Sequence, residues 1–131
     1  FDKIAINTIV KNYTGEASSC DIEFTTDLEK YNHDYLKYTE QVANSCMDRD
    51  LSGECMVIGN SAIVDTELEF AGGMYSGIYN NPFIIWGKYS KHFFKYYLNI
   101  SFQFHHAQMD GMHAARFLNN LQLMIRTLRV K

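Results

Sequence analysis

The stretch His105-His106-Ala107-Gln108-Met109-Asp110-Gly111 holds the residues best suited to chemistry. It sets a histidine four residues ahead of an aspartate, with a glycine directly after. A neutral imidazole is the side chain best placed to take a proton near neutral pH. Burial disfavours imidazolium, so a histidine on a buried strand face is expected to stay neutral, its pKa moved downward. The pattern upstream selects between the two histidines. Phe94, Tyr96, Leu98, Ile100, Phe102 and Phe104 occupy even positions, while Lys95, Asn99, Ser101 and Gln103 occupy odd ones, and only Tyr97 blurs the alternation. This predicts a strand over 94–104 with one buried face. Extended by two residues, it puts His106 on the buried face and His105 on the polar one, the two pointing in opposite directions. Asp110 can then brace the loop that carries His106, and Gly111 allows that loop an unusual backbone conformation. A satisfied core histidine at a strand end would show the same spacing, so the pattern alone leaves both readings open.

The elements that must position this stretch are also legible. From Gly111 the period changes to that of a helix, with Ala114, Phe117, Leu118, Leu121, Met124, Ile125 and Leu128 on one face. Arg116, Asn119, Gln122, Arg126 and Arg129 take the other. Asp110 at the start and arginines near the end suit the helix dipole. Earlier, Ile4 to Val10 reads as a short β-branched strand, and 11–23 reads as polar and turn-like. Thr26-Asp27-Leu28-Glu29 fits a capping box that opens a helix fading near 44–46. Its apolar face is Leu28, Tyr31, Tyr35, Tyr38 and Val42. A polar loop is expected over 47–54, then short strands at 56–58, 63–64 and 68–70. Gly72 and Gly73 break the pattern, a loop covers 74–81, a strand covers 83–89 and a turn covers 90–93.

The 131 residues are 47% apolar and 15% aromatic, with a net charge of −3, which suits one domain with its own core and gives no basic footprint for nucleic acid. No apolar run approaches the roughly 20 residues of a membrane helix, and no signal peptide is visible. Three cysteines, Cys20, Cys46 and Cys55, without a framework spacing point to reduced thiols in a cytoplasm. The sequons at Asn12 and Asn99 read as chance matches. The chain opens on Phe1, which reads as a piece of a longer or processed polypeptide.

Phe102-Gln-Phe-His-His-Ala-Gln-Met-Asp-Gly-Met-His-Ala-Ala-Arg-Phe-Leu-Asn-Asn-Leu-Gln122 resembles the signature of the chloramphenicol acetyltransferase family. That signature is a strand, then His-His-Ala-x-x-Asp-Gly-x-His-x-x-Arg, then a helix with Leu-Gln. Pro82-Phe-Ile-Ile-Trp-Gly-Lys-Tyr89 is similar to the family's Pro-Ile-Ile-x-x-x-Lys-Tyr strand. The tyrosine-rich helix at 27–46 is similar to the helix before these strands. The resemblance spans nearly the whole chain, specific over 82–122 and diffuse before. The short His-x-x-x-Asp-Gly core is shared with related CoA-dependent acyltransferases; the later histidine and Ala-Arg-Phe favour the chloramphenicol branch.

The resemblance implies an α/β (α+β) fold, a mixed sheet packed with helices, as one domain over 1–131 that lacks the family's N-terminal part. It implies that His106 takes the proton from a hydroxyl of chloramphenicol or a similar small molecule, whose oxygen attacks the thioester of acetyl-CoA. Asp110 and Gly111 support the site, Asp110 through an ion pair, and no metal is needed. It further implies a cytoplasmic homotrimer with sites at subunit interfaces. Three departures stand out. The N-terminal part would hold the arginine expected to pair with Asp110. The oxyanion-binding serine belongs to a Ser-x-x-Pro-Trp segment, but Gly59-Asn-Ser-Ala-Ile-Val64 lacks Pro-Trp, so the serine position falls on Gly59 or Ser61. Ile85 stands where the family has a polar residue near the acceptor. Two alternatives follow: a truncated, inactive domain serving as an oligomerisation or binding module, and a metal-dependent hydrolase built on His106, Asp110 and His113. His105 is expected to be exposed or bonded to backbone, His33 and His92 to lie at the surface, and Trp86 to be core. Arg126, Arg129 and Lys131 form a basic end suited to solvent or to CoA phosphates.

Overall fold

A computed structural model describes residues 1–72 and 81–128; the expected loop over 74–80, with Gly73, Arg129 and Lys131, lies outside the described residues. The elements are β1 (Ile4–Lys11), β2 (Ala17–Glu23), α1 (Leu28–Ser45), β3 (Met56–Ile63), β4 (Phe83–Gly87), β5 (Ser90–His92), β6 (Lys95–Tyr97), β7 (Ile100–Gln103) and α2 (Gly111–Thr127). Five strands form one sheet in the order β2-β1-β3-β4-β7, and β5 and β6 form a separate hairpin. β1, β3 and β4 run parallel, while β2 and β7 are antiparallel to their neighbours. The mixed sheet packed with helices is the expected class.

Register defines the two faces of the sheet. Asp21, Asn7, Gly59, Phe83 and Gln103 lie side by side in one row across all five strands. Residues directly opposite share a face, and the next residue along each strand takes the other. Ser61, Ile85 and Ser101 therefore lie on the Asn7 face, and Asn60, Ile84 and Phe102 lie on the opposite one. The helices cover that opposite face. Val42 of α1 is buried, and Tyr31 and Tyr38 pack half-buried against Cys20 and Ile22 of β2. Phe117 of α2 stacks on Phe102 with ring centroids 4.6 Å apart.

Local chemistry explains where elements begin and end. Asn12 builds the turn between β1 and β2. Its Oδ1 accepts the amides of Thr14 (3.1 Å) and Glu16 (2.9 Å), and its Nδ2 donates to Ser18 Oγ at 3.0 Å. This asparagine is buried and fully engaged, in keeping with the chance reading of its sequon. Gly15 takes the left-handed conformation (φ 88°) that the turn requires. The polar stretch expected over 11–23 is thus a short turn followed by β2. That strand was hidden because its outer-face residues are polar yet satisfied: Asn7 Nδ2 donates to Ser19 Oγ and Asp21 Oδ1, both at 2.6 Å, and Leu51 N–H donates to Asp21 Oδ2 at 2.9 Å. The loop after α1 is tied to β2 as well. Arg49 donates to the Asp21 carbonyl and stacks 4.0 Å over the Tyr38 ring. It shields an edge strand that would otherwise present unpaired groups.

Helix α1 is capped by Asp27, not Thr26. The Asp27 carboxylate accepts the amides of Glu29 (3.0 Å) and Lys30 (3.1 Å). Two adjacent residues could each cap, and the carboxylate wins the position. Of the expected apolar face, Leu28 and Tyr35 stay exposed. β3 is continuous from 56 to 63 where two strands were expected. Gly59 marks no break; it makes room for Phe83, whose Cδ2 would lie 2.1 Å from a Cβ placed there. Residues 68–70 form no strand: the Leu68 carbonyl accepts from Asn99 Nδ2 at 2.7 Å.

The largest correction concerns 94–104. That run is two strands, β6 and β7, interrupted at Leu98–Asn99, and the expected turn at 90–93 contains β5. The chain reverses at Phe93, which has φ 55°. Among the described residues nothing covers the first half of the alternating pattern: Phe94 is 96% exposed and Tyr96 64%. Burial on even positions holds from Ile100 to Phe104. Helix α2 shows the same partial cover, with Ala114 buried and Phe117 and Leu121 half-buried, while Leu118, Met124, Ile125 and Leu128 remain exposed. His33 and His92 are at the surface. No helix among the described residues is long and apolar enough to cross a membrane.

The packing of Phe83 on Gly59 is testable. Gly59→Ala is expected to lower unfolding stability by about 1–3 kcal/mol, as overpacked cores do. Adding Phe83→Leu should recover part of that loss in urea melts; purely additive effects would contradict the contact.

Candidate active site

The chain leaves the sheet at Gln103, which pairs with Phe83, and enters α2 at Gly111. Between them lies a tight turn. The His105 carbonyl accepts the amides of Gln108 (2.9 Å) and Met109 (3.2 Å). The His105 ring accepts the Ala107 amide at Nδ1, 3.1 Å away. Nδ1 can accept only if it carries no proton, so this bond assigns the neutral ring's proton to Nε2. The expectation that His105 bonds backbone is met.

Asp110 is the N-cap of α2. Its Oδ1 accepts the His113 amide at 2.9 Å and lies 2.7 Å from His113 Nδ1, while its carbonyl accepts the Ala114 amide at 3.0 Å. The His113 amide, and next its imidazole, hold the Asp110 carboxyl below the usual carboxylate range. A carboxylate at a helix N-terminus is also favoured by the helix dipole. Asp110 therefore fixes the start of α2, and within the described chain its carboxylate faces the His113 ring. His113 had been weighed only as a metal ligand. The signal for its true place was present, since it occupies the third helical position after an N-cap, where side chains reach back toward the cap.

Two expectations fail. His106 is exposed and His105 is half-buried, the reverse of the parity argument. Alternation stops with β7 at Gln103, and two residues of non-strand backbone separate it from the turn. The burial that parity predicts for His106 is absent in the single chain. No described residue hydrogen-bonds the His106 ring, so the imidazole stands open on a turn fixed at both ends. Gly111 does not use its conformational freedom. Its φ lies outside the left-handed region, and a Cβ there would meet no atom within 4 Å.

Ser61 lies on β3, half-buried, beside a cavity of about 510 Å³ that Thr8, Tyr35, Asn60, Ala62 and Trp86 also line. The Trp86 indole donates to Asn60 Oδ1 at 2.8 Å. Trp86 is half-buried, so it is wall as much as core. At Gly59 a Cβ would meet the Phe83 ring, whereas Ser61 carries a hydroxyl beside the cavity. His106 does not line this cavity. Ser61 shares its row with Ser101, five residues before His106, a separation on the order of 10–16 Å at strand rise. Among the described residues, no group of three or more His, Cys, Asp or Glu side chains could hold a metal ion. The trio of His106, Asp110 and His113 is thus reduced to a pair, Asp110 with His113.

Comparison with known proteins gives a consistent picture. A family model described as "Chloramphenicol acetyltransferase" matches residues 2–122. A chloramphenicol acetyltransferase of Campylobacter coli is 34% identical over 121 residues, covering 88% of this chain and 57% of that protein. One from Clostridium perfringens is 31% identical, covering 90% of this chain and 58% of that protein. The chain thus spans less than two thirds of these relatives. Among solved structures, a chloramphenicol acetyltransferase superposes with a TM-score of 0.66 at 16% identity, over 88% of this chain and 58% of that one. A dihydrolipoamide acetyltransferase of Azotobacter vinelandii gives 0.69 at 14% identity, over 97% and 55%. In that enzyme a serine, a histidine and an asparagine four residues after the histidine were investigated for roles in the catalytic mechanism. At such identities the likeness concerns the fold.

The Asp110–His113 pair sets a pH dependence. Because the folded carboxyl titrates lower than the unfolded one, Asp110 stabilises the fold above the unfolded value of about 3.9, and the gain is lost as pH falls through its folded pKa. NMR titration of the Asp110 carboxyl should find its midpoint below that reference. His113→Ala should move the midpoint up without abolishing the depression, since the amide bond remains. An unchanged midpoint would contradict the pairing.

Proposed function

The chain belongs to the chloramphenicol acetyltransferase family, and we propose that it transfers acetyl from acetyl-CoA to a hydroxyl of chloramphenicol or a similar small molecule. The observation that carries the proposal is the open His106 ring on a turn held by His105 and capped by Asp110, inside the stretch that bears the family signature. In this reading His106 takes the acceptor's hydroxyl proton as the oxygen bonds to the thioester carbonyl carbon. The carbonyl oxygen then carries negative charge until the carbon–sulfur bond breaks. The CoA sulfur leaves with its electron pair and takes the proton back from His106, so the base is regenerated. Asp110 supports the turn without touching substrate. The histidine and asparagine of the dihydrolipoamide acetyltransferase have the same spacing as His106 and Asp110, which supports these roles.

Ser61 is the donor assigned to the oxyanion, and it is remote from His106 of the same chain. This reading therefore has the site formed between copies, His106 from one and Ser61 from another, in a homotrimer. The exposed apolar surface of the β5–β6 hairpin and of α2 supports assembly. Buried Ile85 beside Ser61 favours an apolar part of the acceptor there. The reading treats 1–131 as a single domain and needs no metal. Free Cys20, Cys46 and Cys55 fit a cytoplasmic location. A second reading is an inactive oligomerisation or binding module, with the exposed apolar residues of the β5–β6 hairpin and α2 as its contact surface.

Release of CoA from acetyl-CoA, with and without chloramphenicol, separates the two. Acceptor-dependent release is expected, reduced about 10²–10⁴-fold by His106→Ala and roughly 10²–10³-fold by Ser61→Ala. Refolding the two inactive variants together should return part of the activity, because hybrid assemblies contain intact sites. No acceptor-dependent release by the wild type supports the module reading, and indifference to His106→Ala overturns the base assignment.

A further inference from the structure

We propose that His105 is a positioning residue, and that its Nδ1, not its Nε2, holds the turn that presents His106. The proposal rests on the reading of His106 as the base, and it adds a role that the signature alone leaves open between two adjacent histidines. No described residue hydrogen-bonds the His106 ring, so among the described residues its direction is set by the backbone on either side. Three of the bonds that shape this backbone end on His105: its ring takes the Ala107 amide, and its carbonyl takes the amides of Gln108 and Met109. All three arch over His106. Beyond them the chain meets Asp110, whose own bonds fix the start of α2.

The ring bond has a specific chemistry. A side-chain acceptor two bonds from Cβ that takes the amide two residues on is the arrangement of an Asx turn, usually supplied by Asn or Asp. Nδ1 of histidine sits at the same reach as Oδ1 of asparagine; Nε2 sits one atom farther. Ala107 and Met109 carry no hydrogen-bonding oxygen or nitrogen in their side chains, so the turn has few local substitutes for this acceptor.

The test compares His105→Asn, His105→Gln and His105→Leu in the full chain. Asn offers an acceptor at the Nδ1 reach, and Gln offers one at the Nε2 reach. The Asn variant should keep kcat within about threefold of wild type. Gln and Leu should lower kcat roughly 10- to 100-fold, because the base is misdirected, with KM for both substrates within about twofold. A readout independent of catalysis is the Ala107 amide, whose hydrogen exchange should be slow in wild type and Asn and fast in Gln and Leu. Nitrogen-15 spectra should show Nδ1 of neutral His105 as the unprotonated nitrogen. Asn and Gln differ by one methylene, so a general folding defect would strike both. If Gln matches or exceeds Asn, or if Ala107 exchange ignores all three changes, the proposal is overturned. If the exchange pattern holds while no variant, wild type included, transfers acetyl, the turn assignment stands and the acetyltransferase reading is what fails.

Discussion

The carboxylate of Asp110 on the first amides of α2 is the contact on which the rest of the candidate site depends. A helix N-terminus leaves four amides without partners, and a carboxylate there satisfies donors and meets the positive end of the helix dipole. In this chain the same oxygen also faces the His113 ring, so one residue fixes both the helix start and the end of the preceding turn. From the other side, His105 closes that turn on its own carbonyl and ring. The residue left between these two anchors is His106. No described residue hydrogen-bonds its ring, which suits the proton exchange proposed for it. The site is therefore a property of the strand-to-helix junction, and the sheet matters to it chiefly as the place from which β7 delivers the chain.

The sheet imposes a second constraint. Its five strands align Asp21, Asn7, Gly59, Phe83 and Gln103 in one row. That register sets Ser61 with Ile85 and Ser101, several residues up-sheet from the histidine turn. One chain thus presents two separate pieces of chemistry. It also presents more apolar surface than it can bury, on the β5–β6 hairpin and along α2. A small chain hides little of its surface, and the exposed apolar residues of the hairpin and α2 suit the assembly proposed above. The relatives this chain matches are longer, and the burial of its outer surfaces is correspondingly incomplete.

Much of this was legible in the residues. The capped, period-3.6 segments became α1 and α2, the β-branched run became β1, and Phe83 to Gly87 became β4. The strand β2 was not legible, because hydrophobic alternation fails when the outward residues are Ser19 and Asp21 held by Asn7 and by a distant loop amide. The single strand over 94–104 was read from alternation alone, and alternation reports burial only where something supplies cover; here cover begins at Ile100. The same error passed to the histidines. Parity was carried two residues past the end of the strand, and backbone hydrogen bonds, which parity does not see, turned His106 outward and His105 inward. The lack of a side chain at Gly59 admits Phe83, which no pattern of types shows, and Gly111, expected to take an unusual conformation, is an ordinary first residue of a helix. The contact of Asp110 with His113 is local, three residues on, and the spacing of an N-cap and the third helical position already offered it.

In the proposed function His106 works as a base only in a site completed by a second copy of the chain. The most direct measurement follows specific acetyl-transfer activity across a range of protein concentration while sedimentation velocity reports the assembled fraction. The account predicts activity that rises in proportion to assembly and vanishes with the monomer. Acetyl transfer by the isolated monomer, at a rate indifferent to dilution, would contradict it.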